Sequence, residues 1–262
     1  MTTLTHKATK PEPQNLMIAK RASNERGFTN IDWLKSYHSF SFGNYHDINH
    51  MGFGNLRVIN DDVIAPAQGF GTHGHRDMEI ITVVLSGVLA HKDSIGNGTS
   101  ILPYDVQRMS AGTGIEHSEF NASKTQSTRL LQIWVFPETR GLKPSYEQQK
   151  ITPEELRNKL CLIAARNDGA KRGAITIHQN LDLYRTQIDA NKTVRFDMNA
   201  GRKVWIQVAS GNLTINGHEV SEGDALALMF PPVSGGQEDF GPVAINLQAK
   251  SDSDVLIFDQ PV

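Results

Sequence analysis

The chain has 262 residues, which is long enough for one large domain or two modest ones with buried cores. Its 26 basic and 28 acidic residues give a formal net charge of -2, and no basic cluster is dense enough to predict direct nucleic-acid binding. One cysteine, Cys161, excludes an intramolecular disulfide and a cysteine-based zinc site. The start of the chain lacks a signal-peptide core and no stretch reaches the roughly 18 to 20 apolar residues of a membrane span, so we predict a cytoplasmic protein that does not enter a membrane.

The first half of the chain has a pattern of short apolar runs and turn residues that is typical of an all-β protein. Residues 1–16 are polar, contain two prolines and are predicted to be a disordered tail. Short runs rich in β-branched and aromatic residues then alternate with Gly, Asn, Asp and Pro, as in a β-sandwich or barrel. These runs are LRVIN, MEIITVVLSG, GVLAHKD, TSILP, VQRMSAGTG and RLLQIWVFP.

One short helix is predicted in ITPEELRNKL, between two series of strands. Thr152 can cap it, Pro153 suits the first helical position, and Glu154 and Glu155 complement the helix dipole. The second series of predicted strands is GAITIHQN, LDLYRTQI, VRFDM, RKVWIQVASG, NLTINGHEV, DALALMF, VAINLQAKS and DVLIFDQ.

The second series echoes the first. Both VVLSGVLAHKDSIGNGTSILPYD and VASGNLTINGHEVSEGDALAL run from an apolar strand through a Ser-Gly turn, a strand and an Asn-Gly turn to another strand. We therefore predict two copies of one β-unit: an N-terminal domain at 17–145, a connector with the short helix at 146–160, and a C-terminal domain at 161–262.

Two pairs of potential ligands stand out in the first unit. His73 and His75 are separated by one residue, as are His117 and Glu119, so each pair points to one side if its segment is extended. On adjacent strands of one barrel, the two pairs would bring together three imidazoles and a carboxylate. This donor set suits a borderline divalent transition metal and leaves a position for substrate or water.

The strings SYHSFSFGNYHDINHMGFGNLRVINDDVIAPAQGFGTHGHRDMEI and MSAGTGIEHSEFN resemble the pirin family, and most closely the bacterial pirin-like quercetinases. The resemblance implies an all-β bicupin: two jelly-roll β-barrels packed face to face, with a few short helices and metal only in the N-terminal barrel. Carried over residue by residue, the pirin ligands fall on His73, His75, His117 and Glu119. Gly74 stands where the family usually has proline, which predicts a looser turn.

Other residues compete for roles at this site. Glu79 matches the glutamate ligand of ordinary cupins, but the pirin pattern favours Glu119 and makes Glu79 a supporting or turn residue. His91 is predicted to be a surface strand residue, and His178 and His218 structural or solvent-facing. Two further groups share one expectation each: hydrogen bonding in a packed loop for His38, His46 and His50, and lining of the pocket for Phe53, Phe70, Met109 and Trp134.

The resemblance implies a metal-dependent dioxygenase that opens the heterocyclic ring of a flavonol such as quercetin with O2 and releases carbon monoxide. Glu119 would accept the proton of the flavonol 3-hydroxyl. Fe(II) is the first expectation for the metal, although Zn, Mn, Co, Ni and Cu suit the same ligands. Two alternatives stay open: a metal-dependent regulatory module with a protein partner, as in the founding pirin, and a cupin acting on another enolisable or aromatic compound. We predict a monomer, because two fused barrels cover each other's faces.

Overall fold

A computed structural model describes residues 16–166, 172–231 and 241–262. Except for Leu16, the predicted disordered tail lies outside the described residues. Nearly all regular structure is β-strand, as predicted. The strands of the first half, in chain order, are β1 (Met17–Arg21), β2 (Gly27–Ile31), β3 (Leu34–His38), β4 (Leu56–Ile64), β5 (Gly69–His75), β6 (Glu79–Ser86), β7 (Leu89–Asp93), β8 (Gly98–Ile101), β9 (Asp105–Ser110), β10 (Ile115–Asn121), β11 (Thr128–Val135) and β12 (Ser145–Lys150).

The described residues of the second half form ten further strands. They are β13 (Cys161–Arg166), β14 (Ile175–Ile177), β15 (Asp182–Ile188), β16 (Thr193–Met198), β17 (Arg202–Ser210), β18 (Asn212–Ile215), β19 (His218–Ser221), β20 (Ala225–Met229), β21 (Val243–Ala249) and β22 (Ser253–Pro261). A 3-10 turn (Ser23–Glu25) follows β1, and the helix α1 (Pro153–Leu156) precedes β13. No helix in the described ranges is long and apolar enough to cross a membrane.

The strands form two sandwiches, each made of a seven-stranded and a four-stranded sheet. In the first sandwich the large sheet has the order β12-β9-β6-β11-β4-β3-β2, and the small sheet has the order β5-β10-β7-β8. In the second sandwich the orders are β1-β20-β17-β22-β15-β13-β14 and β16-β21-β18-β19. The bicupin architecture implied by the resemblance is therefore confirmed.

The two large sheets pack against each other through a shared apolar core. Ile81 and Val83 of β6 belong to the same buried cluster as Trp205 and Phe258 of the second sheet. Side chains alternate along a strand, so the residues between them, such as Thr82, point into the first sandwich instead. Both faces of the central strands, such as β6 and β22, are consequently buried, which explains the continuous apolar runs in the sequence.

The predicted domain boundaries differ from the strand pairing at two places. β1 lies in the large sheet of the second half, where Met17 is opposite Met229 and Arg21 is opposite Ala225. β12 extends the large sheet of the first half by pairing with β9, although most of it falls in the predicted connector. Each covers a strand edge that would otherwise present unpaired backbone groups, and such long-range pairing leaves no local pattern in the sequence.

The predicted helix is confirmed but is only one turn long. The Thr152 side chain accepts a hydrogen bond from the backbone N–H of Glu155 at 3.3 Å, and the Glu155 carboxylate accepts one from the backbone N–H of Thr152 at 2.7 Å. This reciprocal capping box fixes the start of the helix. The chain becomes extended again at Arg157.

The interiors of the two sandwiches have opposite character. The second is filled by an apolar cluster that includes Val204, Ile206, Phe196 and Leu247. Across the first, a row of buried polar residues follows the strand register of the large sheet through β3, β4, β11, β6 and β9. The members of this polar row are His38, Asn60, Gln132, Thr82 and Gln107. Burying polar groups is unfavourable unless they are paired, so the row indicates a function in the first sandwich.

Candidate metal centre

Three of the predicted ligands converge inside the first sandwich. His73 and His75 lie on β5, and His117 lies opposite His73 on the adjacent strand β10. The ring centroids of His73 and His117 are 4.4 Å apart, those of His73 and His75 are 4.8 Å apart, and those of His75 and His117 are 4.9 Å apart. Their candidate ligand nitrogens all lie within 4.8 Å of one another.

The local environment keeps these rings in the form that binds metal. The Nδ1–H of His73 donates to the backbone oxygen of Gly71 at 2.8 Å, which leaves Nε2 free as an acceptor. Burial, reinforced by the neighbouring imidazoles, lowers the pKa of His75 to about 4 and that of His117 to about 3. At neutral pH both rings are therefore uncharged, and little proton competition opposes metal binding.

Glu119 lies beside His117, and a candidate ligand oxygen of Glu119 is within 4.8 Å of a ring nitrogen of His117. A register shift in the pairing of β10 with β5 aligns Glu119 with Phe70, and on the other side of β10 Glu119 lies opposite His91 of β7. Its Oε2 accepts a hydrogen bond from Gln132 Nε2 at 2.9 Å, whereas its buried Oε1 has no partner among the described residues. Burial raises the pKa of Glu119 to about 7.

His91 is not the surface residue predicted from the sequence. It is only 3% exposed, its ring centroid is 5.4 Å from that of His117, and its Nε2 lies 3.3 Å from Asp93 Oδ2. His91, His117 and Glu119 form a second group whose candidate ligand atoms lie within 4.8 Å of one another. The one-residue spacing of His91 and Asp93 is the same one-sided signal as the spacing of His73 and His75, and it predicts that both side chains point to one face of β7.

Glu79 belongs to neither group of candidate ligands. Its side chain is buried at the start of β6, where Oε2 accepts hydrogen bonds from Ser110 Oγ at 2.9 Å and from the backbone N–H of His178 at 3.2 Å. His178 Nδ1 lies 3.2 Å from the same oxygen. Glu79 thus joins the two sandwiches, in keeping with a supporting role rather than a place among the ligands.

Three other details of the histidine-rich segments differ from the sequence predictions or refine them. Gly74 lies within β5, opposite Glu116, rather than in a turn, and a side-chain Cβ would have room there. His38 lies on β3 instead of a loop, with Nδ1 2.7 Å from Asn60 Oδ1. His50 is a loop residue as predicted, and its Nδ1 lies 2.6 Å from Asp47 Oδ2.

A pocket of about 530 Å³ opens beside the candidate ligands. His73, His75 and Glu119 contribute to its walls. The prediction that Phe70 and Trp134 line the pocket is confirmed, and Trp33 and Phe42 add further aromatic surface. The prediction is wrong for Phe53, which packs against the core between the sandwiches, and for Met109, which is fully buried in an apolar cluster with Ile80 and Ile115.

The donor set fits a divalent transition metal. Four buried ligand atoms have no hydrogen-bond partner in the described part of the chain: His91 Nδ1, both ring nitrogens of His117, and Glu119 Oε1. Unpaired buried polar atoms are rare in folded proteins and call for a further partner. Neutral imidazoles with one carboxylate are typical ligands of such metals.

The buried Asp62 carboxyl near this site leads to a stability prediction. Burial raises its pKa to about 7 from the ordinary 3.8, so the folded protein holds this proton more tightly than the unfolded chain. The contribution to stability is complete below pH 3.8 and is lost as the pH rises through 7. In urea titrations of the metal-free protein between pH 5 and pH 8, the free energy of unfolding of Asp62→Asn should therefore rise relative to that of the parent by on the order of 1–3 kcal/mol. Asp197→Asn, at an exposed site on β16, should show no such gain; an equal pH dependence in all three proteins would contradict the prediction.

The two face-to-face sandwiches and the histidine-lined centre of the first define a bicupin with a candidate metal site. The Pirin family matches residues 19–135, and the family described as the quercetinase C-terminal cupin domain matches residues 162–260. The chain belongs to the pirin family.

Similar proteins are found over almost the whole chain. A quercetin 2,3-dioxygenase of Escherichia coli (strain K12) is 46% identical over 245 residues, which cover 94% of this chain and 99% of the relative. A putative quercetin 2,3-dioxygenase of Mycobacterium tuberculosis is 41% identical over 91% of this chain and 93% of its own. The crystal structure of the bacterial pirin YhhW from Escherichia coli in complex with nickel(II) has a TM-score of 0.82 and 46% identity, covering 94% and 99% of the two chains.

Proposed function

We propose that this protein is a metal-dependent dioxygenase that opens the heterocyclic ring of a flavonol such as quercetin and releases carbon monoxide. The observation that carries the proposal is an aromatic-walled pocket beside two groups of candidate ligands, one with His73, His75 and His117 and one that includes His117 and Glu119. The 46% identity to a quercetin 2,3-dioxygenase over 94% of the chain supports the same reaction. The proposal assigns all four residues as metal ligands, with His117 shared by the two groups.

The pocket has the size and surface that a planar phenolic compound requires. Its volume of about 530 Å³ lies within the ~300–1,000 Å³ usual for small-molecule sites. Trp33, Phe42, Phe70 and Trp134 provide apolar ring surface on which aromatic rings can pack. These side chains also keep bulk water away from the reacting ring.

Glu119 is proposed as the base that takes the proton of the 3-hydroxyl. Glu119 is the one carboxylate among the four proposed ligands, and a carboxylate can serve as a base where the neutral imidazoles only bind the metal. The hydrogen bond from Gln132 holds Oε2, and the Thr82 hydroxyl donates to Gln132 Oε1 at 3.1 Å, which orients the amide. Glu119 Oε1 is left as the unpaired oxygen.

The centre is proposed to hold one divalent metal, Fe(II) by first expectation. When bound, the metal supplies Lewis acidity that stabilises the anion of the deprotonated hydroxyl. The histidine and carboxylate ligands accept several first-row metals, so the choice among them depends on measured turnover.

The decisive experiment is quercetin turnover by metal-free protein reloaded in parallel with Fe(II), Mn(II), Co(II), Ni(II), Cu(II) and Zn(II). At least one metal is expected to give loss of the quercetin absorption, consumption of oxygen and release of carbon monoxide. His218→Ala, a substitution at an exposed histidine on β19 of the second half, is the matched control and should keep full turnover. Metal-replete protein that leaves quercetin unchanged under every loading would contradict the proposal.

A further inference from the structure

We propose that Asp62 and Asn60 form a second polar subsite in the pocket, which binds a phenolic hydroxyl other than the one that reacts. The inference rests on the proposed function and specifies its substrate class: flavonols with hydroxyls beyond the 3-position.

Asp62 has a buried carboxyl group with no ion-pair partner among the described residues. It is 3% exposed, it lines the pocket, and its Oδ1 has no hydrogen-bond partner among the described residues. The side chain of Ser36, opposite Asp62 on β3, forms a hydrogen bond with the carboxyl group of Asp62. Leaving a buried carboxylate so poorly paired costs stability, and a ligand hydroxyl would supply the missing donor.

The adjacent residue shows how this fold pairs a carboxylate that serves structure. Asp61 points to the other face of β4, where Arg129 contacts both carboxylate oxygens at 2.9 Å and Arg26 lies 3.4 Å away. The negative charge of Asp61 is thus paired with cationic side chains, whereas Asp62, one residue later and equally buried, has no such partner among the described residues. The contrast separates a structural carboxylate from one that faces a binding pocket.

Asn60 supplies the second polar group of the subsite. Its Oδ1 accepts a hydrogen bond from His38 Nδ1 at 2.7 Å, which turns the amide Nδ2 away from His38. The Nε2 of His38 lies 2.9 Å from Thr29 Oγ1, so the ring is held at both nitrogens. No described side chain or backbone group receives a hydrogen bond from Asn60 Nδ2, and Asn60 lines the pocket beside Asp62.

The subsite lies where a substrate would place the end that is distant from its reacting hydroxyl. Asn60 is opposite Gln132, which binds Glu119, and Asp62 lies two residues further along β4. Residues two apart on one strand are separated by about 7 Å. A ligand whose reacting hydroxyl lies at Glu119 can therefore extend its ring system past Asn60 to Asp62 within the same pocket.

The test varies the side chain at position 62 and the hydroxyl groups of the substrate independently. Parent, Asp62→Asn and Asp62→Ala proteins are compared at pH 8, above the Asp62 pKa of about 7, on quercetin and on 3-hydroxyflavone, which has only the reacting hydroxyl. Hydrogen bonds to a charged group are worth about 1.5–3 kcal/mol, so the ratio of kcat/KM for the two substrates should fall by about 10-fold or more in Asp62→Ala. Asp62→Asn, which keeps a neutral acceptor, should cause a smaller fall.

Galangin, which lacks the hydroxyls of the pendant ring, shows which ring reaches Asp62. Asp197→Asn serves as the control and should leave every ratio unchanged, since Asp197 is exposed on the second sandwich. An unchanged quercetin to 3-hydroxyflavone ratio in both Asp62 variants would overturn the subsite.

A binding measurement separates the subsite from the proposed reaction. Dissociation constants of the same compounds are measured by quenching of tryptophan fluorescence in Zn²⁺-loaded protein under nitrogen, where no turnover occurs. Weaker preference for quercetin in the Asp62 variants supports the subsite even if no metal gives turnover, which would contradict the proposed function alone. Turnover with equal preferences in all proteins contradicts the subsite alone.

Discussion

His117→Ala protein is expected to lose its metal and all measurable quercetin turnover. His117 is the one residue shared by both groups of candidate ligands, and neither of its ring nitrogens has a partner in the described structure. Loss of a group that only supports a ligand costs about 10- to 100-fold in metal affinity, so loss of the ligand itself should cost more than about 100-fold.

The expected loss is measured by metal content after dialysis and by the thermal stability of loaded and metal-free protein. A metal present at about 100 times its Kd stabilises the parent by about 2.7 kcal/mol, and this increment should disappear in His117→Ala. Metal-free His117→Ala should remain folded, because the His117 imidazole of the parent makes no hydrogen bond to the described residues. His218→Ala is the matched control, and full metal content in His117→Ala would show that the centre is assigned wrongly.

Glu119→Gln protein is expected to lose about 10²- to 10⁴-fold in kcat, the usual contribution of a positioned base. The substitution keeps the shape of the side chain and an oxygen that can accept from Gln132, but it removes the group that takes the proton. The fold should persist because glutamine carries no charge into a site that is 3% exposed.

Single-turnover measurements at saturating metal separate this chemical defect from weaker metal binding. Gln132→Leu provides a comparison, because it removes the hydrogen bond to Glu119 but leaves the carboxylate, and it should cost less than Glu119→Gln. Glu116→Gln, at an exposed position on the same strand, is the matched control. A single-turnover rate in Glu119→Gln within about threefold of the parent would exclude Glu119 as the base, given the size of effect expected.

The strands of both halves could be predicted from the sequence because their signal is local. Alternation of side chains and turn residues such as Ser-Gly and Asn-Gly depend only on neighbours in the chain. The predicted runs LRVIN, MEIITVVLSG and RLLQIWVFP correspond to β4, β6 and β11. The capping residues likewise predicted where α1 begins, although its end after one turn was not evident from the sequence.

The errors concern residues whose role depends on distant partners. His91 was predicted to be exposed, yet it is buried because β7 pairs with β10 and places His91 opposite Glu119. β1 was predicted to belong to the first domain, but its hydrogen bonds go to β20. Both results follow from pairings between strands that are far apart in the chain, which no short window of sequence contains.

Which residues can share a face follows from the chain alone: the one-residue spacing of His73 and His75, and of His117 and Glu119, places each pair on one side of an extended strand. Which faces meet depends on the fold. It aligned His117 with His73, brought His91 into the cluster and turned Glu79 toward the second sandwich. The physical reason is that side-chain direction along a strand is a local property of the backbone, whereas register between strands is fixed by the packing of the whole sheet.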